Sequence, residues 1–294
     1  MAITTLQPLG LGELLDRAVG LFVRHFAPIT AVVAIAYVPF AFLRWATIGH
    51  IVSHKPQALR RDEWTSVGLD IALGMIVFGF TRTAVAAVAH ARYMSRRMSL
   101  AAAYRAAVVC FPAQIFAMLV AGVIECLIVL LAGAIPVVAV ASIATAGGGA
   151  GTVPILVAVG FAAIAVAILS AWLCFGYELA TVRIAYDARS PYTALFSSLG
   201  ATVFQRPWRS LLAAVILVLL IGGGSLMFSL LGDLSPSPAL RIVITFGLGG
   251  VGEILIESLS TAFLIAYDVD IAIRREGLDL AAALDAGALT APPV

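Results

Sequence analysis

The chain has 294 residues, of which 62% are hydrophobic and only 12% are charged, and its formal net charge is +2. Soluble domains carry about a quarter charged residues, so lipid must replace much of the water around this chain. Lys55 is the only lysine, so there is no dense basic tract to hold nucleic acid, and we expect no nucleic-acid partner.

Six apolar stretches are long enough to cross a bilayer, which takes about 20 helical residues. In chain order they cover residues 28–48, 67–90, 108–144, 153–186, 211–231 and 240–267. The third and fourth exceed one crossing, so the surplus must tilt, kink at Pro136 or continue as helix outside the membrane. The uncharged, glycine-rich segment 145–152 predicts a short turn between them.

The pattern predicts an all-α fold, a polytopic transmembrane bundle of six spans that forms a single membrane domain. Residues 1–27 would form an interfacial helix, 28–269 the bundle and 270–294 a cytoplasmic tail.

An amphipathic stretch precedes the first, third and fifth spans, and each predicts a helix in the membrane interface. In the first stretch, one helical face carries Leu11, Leu14, Leu15, Ala18, Phe22 and Phe26. The second stretch covers 98–111 and the third 192–204. Each of the three stretches is followed by a proline and then a span, and these prolines are Pro28, Pro112 and Pro207. These units recur about every 90 residues, which indicates a threefold internal repeat. The alternative is that membrane proteins commonly have amphipathic loops on their cytoplasmic side.

The distribution of basic residues predicts the orientation, because cytoplasmic loops carry an excess of them. One side holds Arg17, Arg24, Arg92, Arg96, Arg97, Arg105, Arg189, Arg206, Arg209, Arg274 and Arg275. The other side holds Lys55, Arg60, Arg61 and Arg241, with Asp62 and Glu63 as partial compensation. We therefore expect both termini in the cytoplasm. Abundant alanine and the preference for arginine over lysine suggest a bacterial genome rich in G and C. We expect the chain in the bacterial cytoplasmic (inner) membrane.

Residues 260–280 read STAFLIAYDVDIAIRREGLDL and residues 9–22 read LGLGELLDRAVGLF, while Asp187 is followed by Ala194, Leu195 and Ser198. Together these segments resemble a bacterial membrane-protein family of unknown function, related to the membrane domain fused to some glycerophosphoryl diester phosphodiesterases. The resemblance implies six spans and a cytoplasmic tail. It does not imply phosphodiesterase activity, because the catalytic part of the fused enzymes is a separate soluble barrel for which this chain has no room.

Charges at membrane depth are the candidates for function, because each costs roughly 2.5–3.5 kcal/mol on insertion scales. They are Asp70, Arg82, Glu125, Glu178, Glu253 and Glu257. Glu253 and Glu257 are four residues apart and share a helix face, so they could serve a cation or a proton path. Glu125 or Glu178 facing the same space would complete an acidic site. The alternative is that the carboxylates pair with Arg82, hydrogen-bond Ser and Thr, or are protonated.

The C-terminal segment places two acids, Asp268 and Asp270, before two bases, Arg274 and Arg275. One interpretation is a docking surface for a cytoplasmic partner or for one of the interfacial helices. The other is a solvated helix end with Gly277 as its C-cap.

No arrangement of residues predicts catalysis, a cofactor or a metal. Among the four histidines only His50 and His54 have helical spacing, and they lack a third ligand nearby. The glycine-rich segments 222–225 and 247–252 lie within apolar spans, where small residues let helices approach closely. They do not resemble phosphate loops, because no Lys-Ser or Lys-Thr follows them.

Three hypotheses follow. The first is a non-enzymatic membrane scaffold or accessory subunit, with the lipid bilayer and other membrane or cytoplasmic proteins as partners. The alternative is a transporter or channel-like protein that uses the intramembrane acids. The third is an enzyme that acts on lipid. The first two differ in whether Glu253 and Glu257 line a water-accessible cavity or face Arg82 and packed helices.

Overall fold

The structure is a computed structural model, and it describes residues 10–54, 60–94, 96–145, 152–187, 190–235 and 237–285. Nearly all of these residues are helical, and none of them lies in a strand. The helices are α1 (Leu11–Arg24), α2 (Phe26–His54), α3 (Arg61–Tyr93), α4 (Leu100–Thr145), α5 (Thr152–Asp187), α6 (Pro191–Leu199), α7 (Pro207–Asp233), α8 (Pro238–Ile242) and α9 (Gly249–Asp285). Two π-helical segments, Gly200–Gln205 and Val243–Leu248, precede α7 and α9.

Six of the helical segments are long and apolar enough to cross a membrane. They are Phe26–Gly49, Glu63–Tyr93, Leu100–Ile128, Val159–Tyr186, Pro207–Gly232 and Pro238–Arg274. Each overlaps one of the six predicted spans, so the all-α, six-span prediction is confirmed. The chain is an integral membrane protein.

Some predictions fall outside the described residues. These are the centre of the glycine-rich turn (146–151), Lys55, Arg189 and the last residues of the tail (286–294). The threefold repeat also stays a prediction.

The first and third amphipathic stretches form helices of their own. Helix α1 ends at Arg24, and the N–H of the following residue, His25, donates to the carbonyl oxygen of Leu21. The third stretch forms α6 and the π-helical segment Gly200–Gln205, and α7 then starts at Pro207. Proline suits this first helical position, because its missing N–H would have no partner there.

The structure differs at the second stretch, which is continuous with the span that follows it. Helix α4 runs without a break from Leu100 to Thr145 and includes both Pro112 and Pro136. A proline removes one backbone hydrogen bond, and helices in lipid tolerate that loss when neighbouring groups satisfy the freed carbonyl. Pro112 therefore does not mark a boundary between an interfacial helix and a span.

The chain divides into two compact units, and the single membrane domain with its predicted bounds stays a prediction. The first combines Met1–Val109 with Leu220–Val294, and in it α2, α3 and α9 pack against one another. The second covers Cys110–Leu219, and in it α5 packs against α6 and the π-helical segment that follows α6.

Helix α1 belongs to the packing of the first unit. It packs against α9, and its buried residues are Leu14, Ala18 and Leu21. Arg17 donates from Nη1 to the Tyr93 hydroxyl at the end of α3, at 3.0 Å. The apolar face that the sequence assigned to the bilayer interface is thus partly used to hold the helix against its own chain.

Candidate functional site in the last span

Arg82 and Glu257 form a buried ion pair between α3 and α9. The Nε atom of Arg82 lies 2.7 Å from Oε1 of Glu257, and Nη2 lies 2.6 Å from Oε2. The two side chains are only 6% and 2% exposed. Two parallel charge-assisted hydrogen bonds are the strongest contact that arginine makes with a carboxylate. The pair therefore neutralises both charges where neither reaches solvent.

Glu253, one helical turn earlier on α9, faces a different arginine. Nη1 of Arg44 lies 3.5 Å from Oε1 of Glu253. Nε of Arg44 donates to both carboxylate oxygens of Asp70, at 3.1 and 3.2 Å. We call Arg44, Asp70 and Glu253 the Arg44 cluster. It joins α2, α3 and α9, and the side chains are 29%, 10% and 25% exposed, respectively.

Sequence reasoning missed Arg44, although it lies within the predicted span 28–48 and is a charge at membrane depth like the others. The partner of Asp70 comes from another helix, because Nε of Arg44 on α2 donates to its carboxylate. The signal for Arg44 was present in the sequence, but the identity of its partners depends on how the helices pack.

The two glutamates of α9 share a helix face, and each has an arginine from another helix as its partner. Around Glu257 the helix is buried, and the hydroxyls of Ser258 and Ser260 donate back to backbone carbonyls at 2.8 and 3.0 Å. Glu257 therefore faces Arg82 and packed helices, which is the arrangement expected if it does not line a water-accessible cavity.

Tyr37 on α2 completes the surroundings of the Arg44 cluster. Its ring is buried and packs edge-on against Phe40 and Phe78, with ring centroids 5.7 and 5.4 Å away. Its hydroxyl oxygen is buried beside the carboxylate of Glu253.

Glu125 and Glu178 belong to the second unit, Cys110–Leu219. Glu125 is half-buried, and its Oε2 atom makes no hydrogen bond to any described residue. Glu178 is also half-buried, and its backbone carbonyl accepts a hydrogen bond from the Thr181 hydroxyl at 2.7 Å. A common acidic site with Glu253 or Glu257 stays a prediction.

The acids of the predicted docking tail are buried. Asp268 and Asp270 are almost inaccessible to solvent, and Asp270 accepts a hydrogen bond from Nε of Arg274 at 2.7 Å. The side chain of Arg275 lies outside the described residues. Helix α9 also continues past Gly277 to Asp285. These facts do not fit a solvated helix end capped at Gly277, and they favour a surface used in packing.

Within the glycine-rich segments, only some glycines lie close to a side chain of another helix. A methyl group added at Gly224 would overlap the Ile256 side chain, and one added at Gly252 would overlap the Phe228 ring. By contrast, nothing lies near the corresponding position of Gly223. Particular glycines therefore leave room for a side chain of the neighbouring helix, Gly224 for Ile256 and Gly252 for Phe228.

No group of three His, Cys, Asp or Glu residues suited to a metal ion occurs among the described residues. The side chains of His50 and His54 lie outside those residues. His25, between α1 and α2, is partly buried. Burial and the charges of Arg92 and Arg24 lower the pKa of its imidazole below the usual 6.5.

Comparison of the chain with protein-family models, with curated proteins and with solved structures finds no match.

Proposed function

We propose that this integral membrane protein is a non-enzymatic scaffold or accessory subunit of the bacterial cytoplasmic membrane. The observation that carries the proposal is the Arg82–Glu257 pair, which is bidentate and almost fully buried. A carboxylate that moves an ion must change partners during each cycle. Leaving either member of a buried pair alone costs about 3–5 kcal/mol, so this pair is suited to clamping two spans together.

Exposed aromatic side chains supply the surface that a scaffold needs. Phe204 at the end of the π-helical segment is 84% exposed, and Trp208 at the start of α7 is 75% exposed. Arg206 lies between them in the sequence and is also exposed. Aromatic rings beside arginine are typical of the membrane–water interface. This surface is available to headgroups or to another membrane protein.

The proposal includes the orientation and the family relationship. Both termini lie in the cytoplasm, as the excess of arginine in alternate loops favours. Kinship with the family related to the phosphodiesterase-fused membrane domain rests on the N-terminal, C-terminal and central segments described above. Reporter proteins fused to the two ends test the orientation, since a reporter that is active only in the cytoplasm should work at both. Activity at one end alone would contradict it.

Transport is the second candidate, and one observation favours it: Glu253 and Arg44 lie in two of the long apolar helices and keep part of their side chains exposed. A flux assay separates the two functions. The purified chain is placed in liposomes that contain a pH-sensitive dye, and a proton gradient or a potassium diffusion potential is imposed.

The scaffold proposal predicts that proton and potassium fluxes equal those of protein-free liposomes. Flux above that level in the unmodified chain, lost in Arg44→Gln but retained in Arg105→Gln, would contradict it. Arg105 is the matched control, because it is an exposed arginine on α4.

A further inference from the structure

The junction between α1 and α2 lies beside the end of α3. His25 is the residue between α1 and α2, and Nη1 of Arg17 on α1 donates to the hydroxyl of Tyr93, the last residue of α3, at 3.0 Å. The apolar span of α2 starts at Phe26, and that of α3 ends at Tyr93. Lipid headgroups border the hydrocarbon core on both sides. Because two spans end here, we expect this junction to lie at the level of the headgroups.

Basic side chains from both sides meet at this junction. Arg24 is the last residue of α1, and Arg92 is the second-last residue of α3. Burial lowers the pKa of the His25 imidazole, and so do the positive charges of Arg92 and Arg24. Because the interaction between charges weakens with distance, both guanidinium groups lie near the imidazole. The junction is therefore electropositive and attracts anions.

Arg92 gives an independent indication of a ligand at this junction. Its Nε atom is buried and has no hydrogen-bond partner among the described residues. A guanidinium group can only donate, and a buried donor without an acceptor is costly. The acceptors that match its fork of N–H groups best are the oxygens of a carboxylate or a phosphate. The side chain as a whole is only partly buried, so a ligand can reach it.

The surroundings of Arg92 favour a phosphate group that belongs to a lipid. At the level of the headgroups, phosphate is the anionic group that every phospholipid carries. Apolar side chains next to Arg24 and His25 in the sequence are also exposed, since Val23 is 64% and Phe26 is 47% exposed. A ligand with a charged head and an apolar tail fits both features, whereas a small anion uses only the charges.

We propose that Arg92, Arg24 and His25 form a binding site for the phosphate group of an anionic phospholipid. Arg92 donates from Nε to a phosphate oxygen, Arg24 supplies a second positive charge, and the imidazole of His25 donates through its N–H. The acyl chains lie along Phe26 and Val23. The site serves a scaffold and a transporter equally well, so it goes beyond the function proposed above.

Lipid titration of the purified full chain in a neutral detergent tests the proposal. The chain is stripped of lipid and titrated with short-chain phosphatidylglycerol, with phosphatidylcholine of the same chain length, or with inorganic phosphate. The melting temperature and the bound mass are followed, because a ligand that binds only the folded state stabilises it. We expect phosphatidylglycerol to bind and to raise the melting temperature. The other two compounds should have a much smaller effect at the same concentration.

Variants of single arginines locate the site. Arg92→Gln should weaken phosphatidylglycerol binding about tenfold or more, because it removes a charge-assisted hydrogen bond. Arg24→Gln should also weaken binding, and it changes an exposed residue, so the fold is preserved. The matched control is Arg60→Gln, because Arg60 is an exposed arginine at the opposite end of α3. It should keep the affinity of the unmodified chain.

Three results would overturn the proposal. The first is binding of phosphatidylcholine as tight as that of phosphatidylglycerol, because the zwitterionic lipid carries no net charge. The second is an affinity of Arg92→Gln and Arg24→Gln equal to that of Arg60→Gln. The third is stabilisation by inorganic phosphate as large as that by phosphatidylglycerol, which would assign the site to a small anion in solution.

Discussion

Removing one partner of the Arg82–Glu257 pair is expected to be the most damaging single change among the intramembrane charges. The variant Glu257→Ala leaves the Arg82 guanidinium at a position where its side chain is 6% exposed, so water cannot replace the lost carboxylate. Breaking a buried pair in this way costs about 3–5 kcal/mol. Arg82→Gln should cost a comparable amount, because it leaves the carboxylate of Glu257 alone.

The double variant Arg82→Gln/Glu257→Gln distinguishes a paired contact from two independent ones. It removes both charges together and places two amides that can hydrogen-bond each other. Its loss of stability should therefore be smaller than the sum of the two single losses, by about 0.5–3 kcal/mol, the range found for residues in direct contact.

The assay is unfolding in detergent or nanodiscs, with the melting temperature and the denaturant midpoint measured for the unmodified chain, the two single variants and the double variant. Arg105→Gln, at an exposed position of α4, controls for the loss of an arginine as such. Single variants as stable as the Arg105 control, or losses that simply add, would refute the reasoning.

Three further predictions concern the glycines, the tail and pH. Gly252→Ala should destabilise the chain by about 1–3 kcal/mol, because the new methyl group overlaps the Phe228 ring. Gly223→Ala should be close to neutral in the same thermal assay, because nothing lies near that position. Arg274→Ala should lower both the abundance of the protein in the membrane and its melting temperature, because it removes a hydrogen-bond donor from the buried Asp270. Equal abundance of Arg274→Ala and the control Arg105→Ala would contradict the packing of the tail. The lowered pKa of His25 means that the folded state favours the neutral imidazole, so the stability of the chain should fall as the pH drops below the usual 6.5 of the unfolded chain. The variant His25→Gln should make stability depend less on pH in this range. An unchanged pH dependence in that variant would contradict the prediction.

The spans could be predicted because they follow from local composition. A run of about 20 apolar residues must be helical in lipid, since only a helix satisfies its backbone groups within one segment. The same reasoning placed Glu253 and Glu257 on one helix face, four residues apart. The predicted span limits differ from those of the helical segments where polar residues extend a helix. The second segment, for example, begins at Glu63, whose carboxylate accepts a hydrogen bond from the N–H of Arg60 at 2.6 Å.

The partners of the charges could not be predicted, because they depend on how the helices rotate and pack. Nothing near Asp70 in the sequence indicates that Arg44 is its partner, and nothing near Glu257 selects Arg82 for it. Gly223 and Gly224 are equivalent as sequence, yet only Gly224 faces a neighbouring side chain closely. Pro112 is ambiguous for a related reason, because proline can start a helix or lie within one whose neighbours satisfy the freed carbonyl.

The central claim is that Glu257 is sealed from water by Arg82 and the packed helices, and thiol accessibility tests it most directly. Cys110, Cys126 and Cys174 are first replaced by alanine, and Ser258→Cys, Ser260→Cys and the exposed Ser99→Cys are then compared in intact membranes. Both Ser258 and Ser260 are fully buried. A small water-soluble thiol reagent supplied to both sides should label position 99 at once and should label positions 258 and 260 only after denaturation. Rapid labelling of 258 or 260 in the folded protein would show a water path to Glu257 and contradict the account.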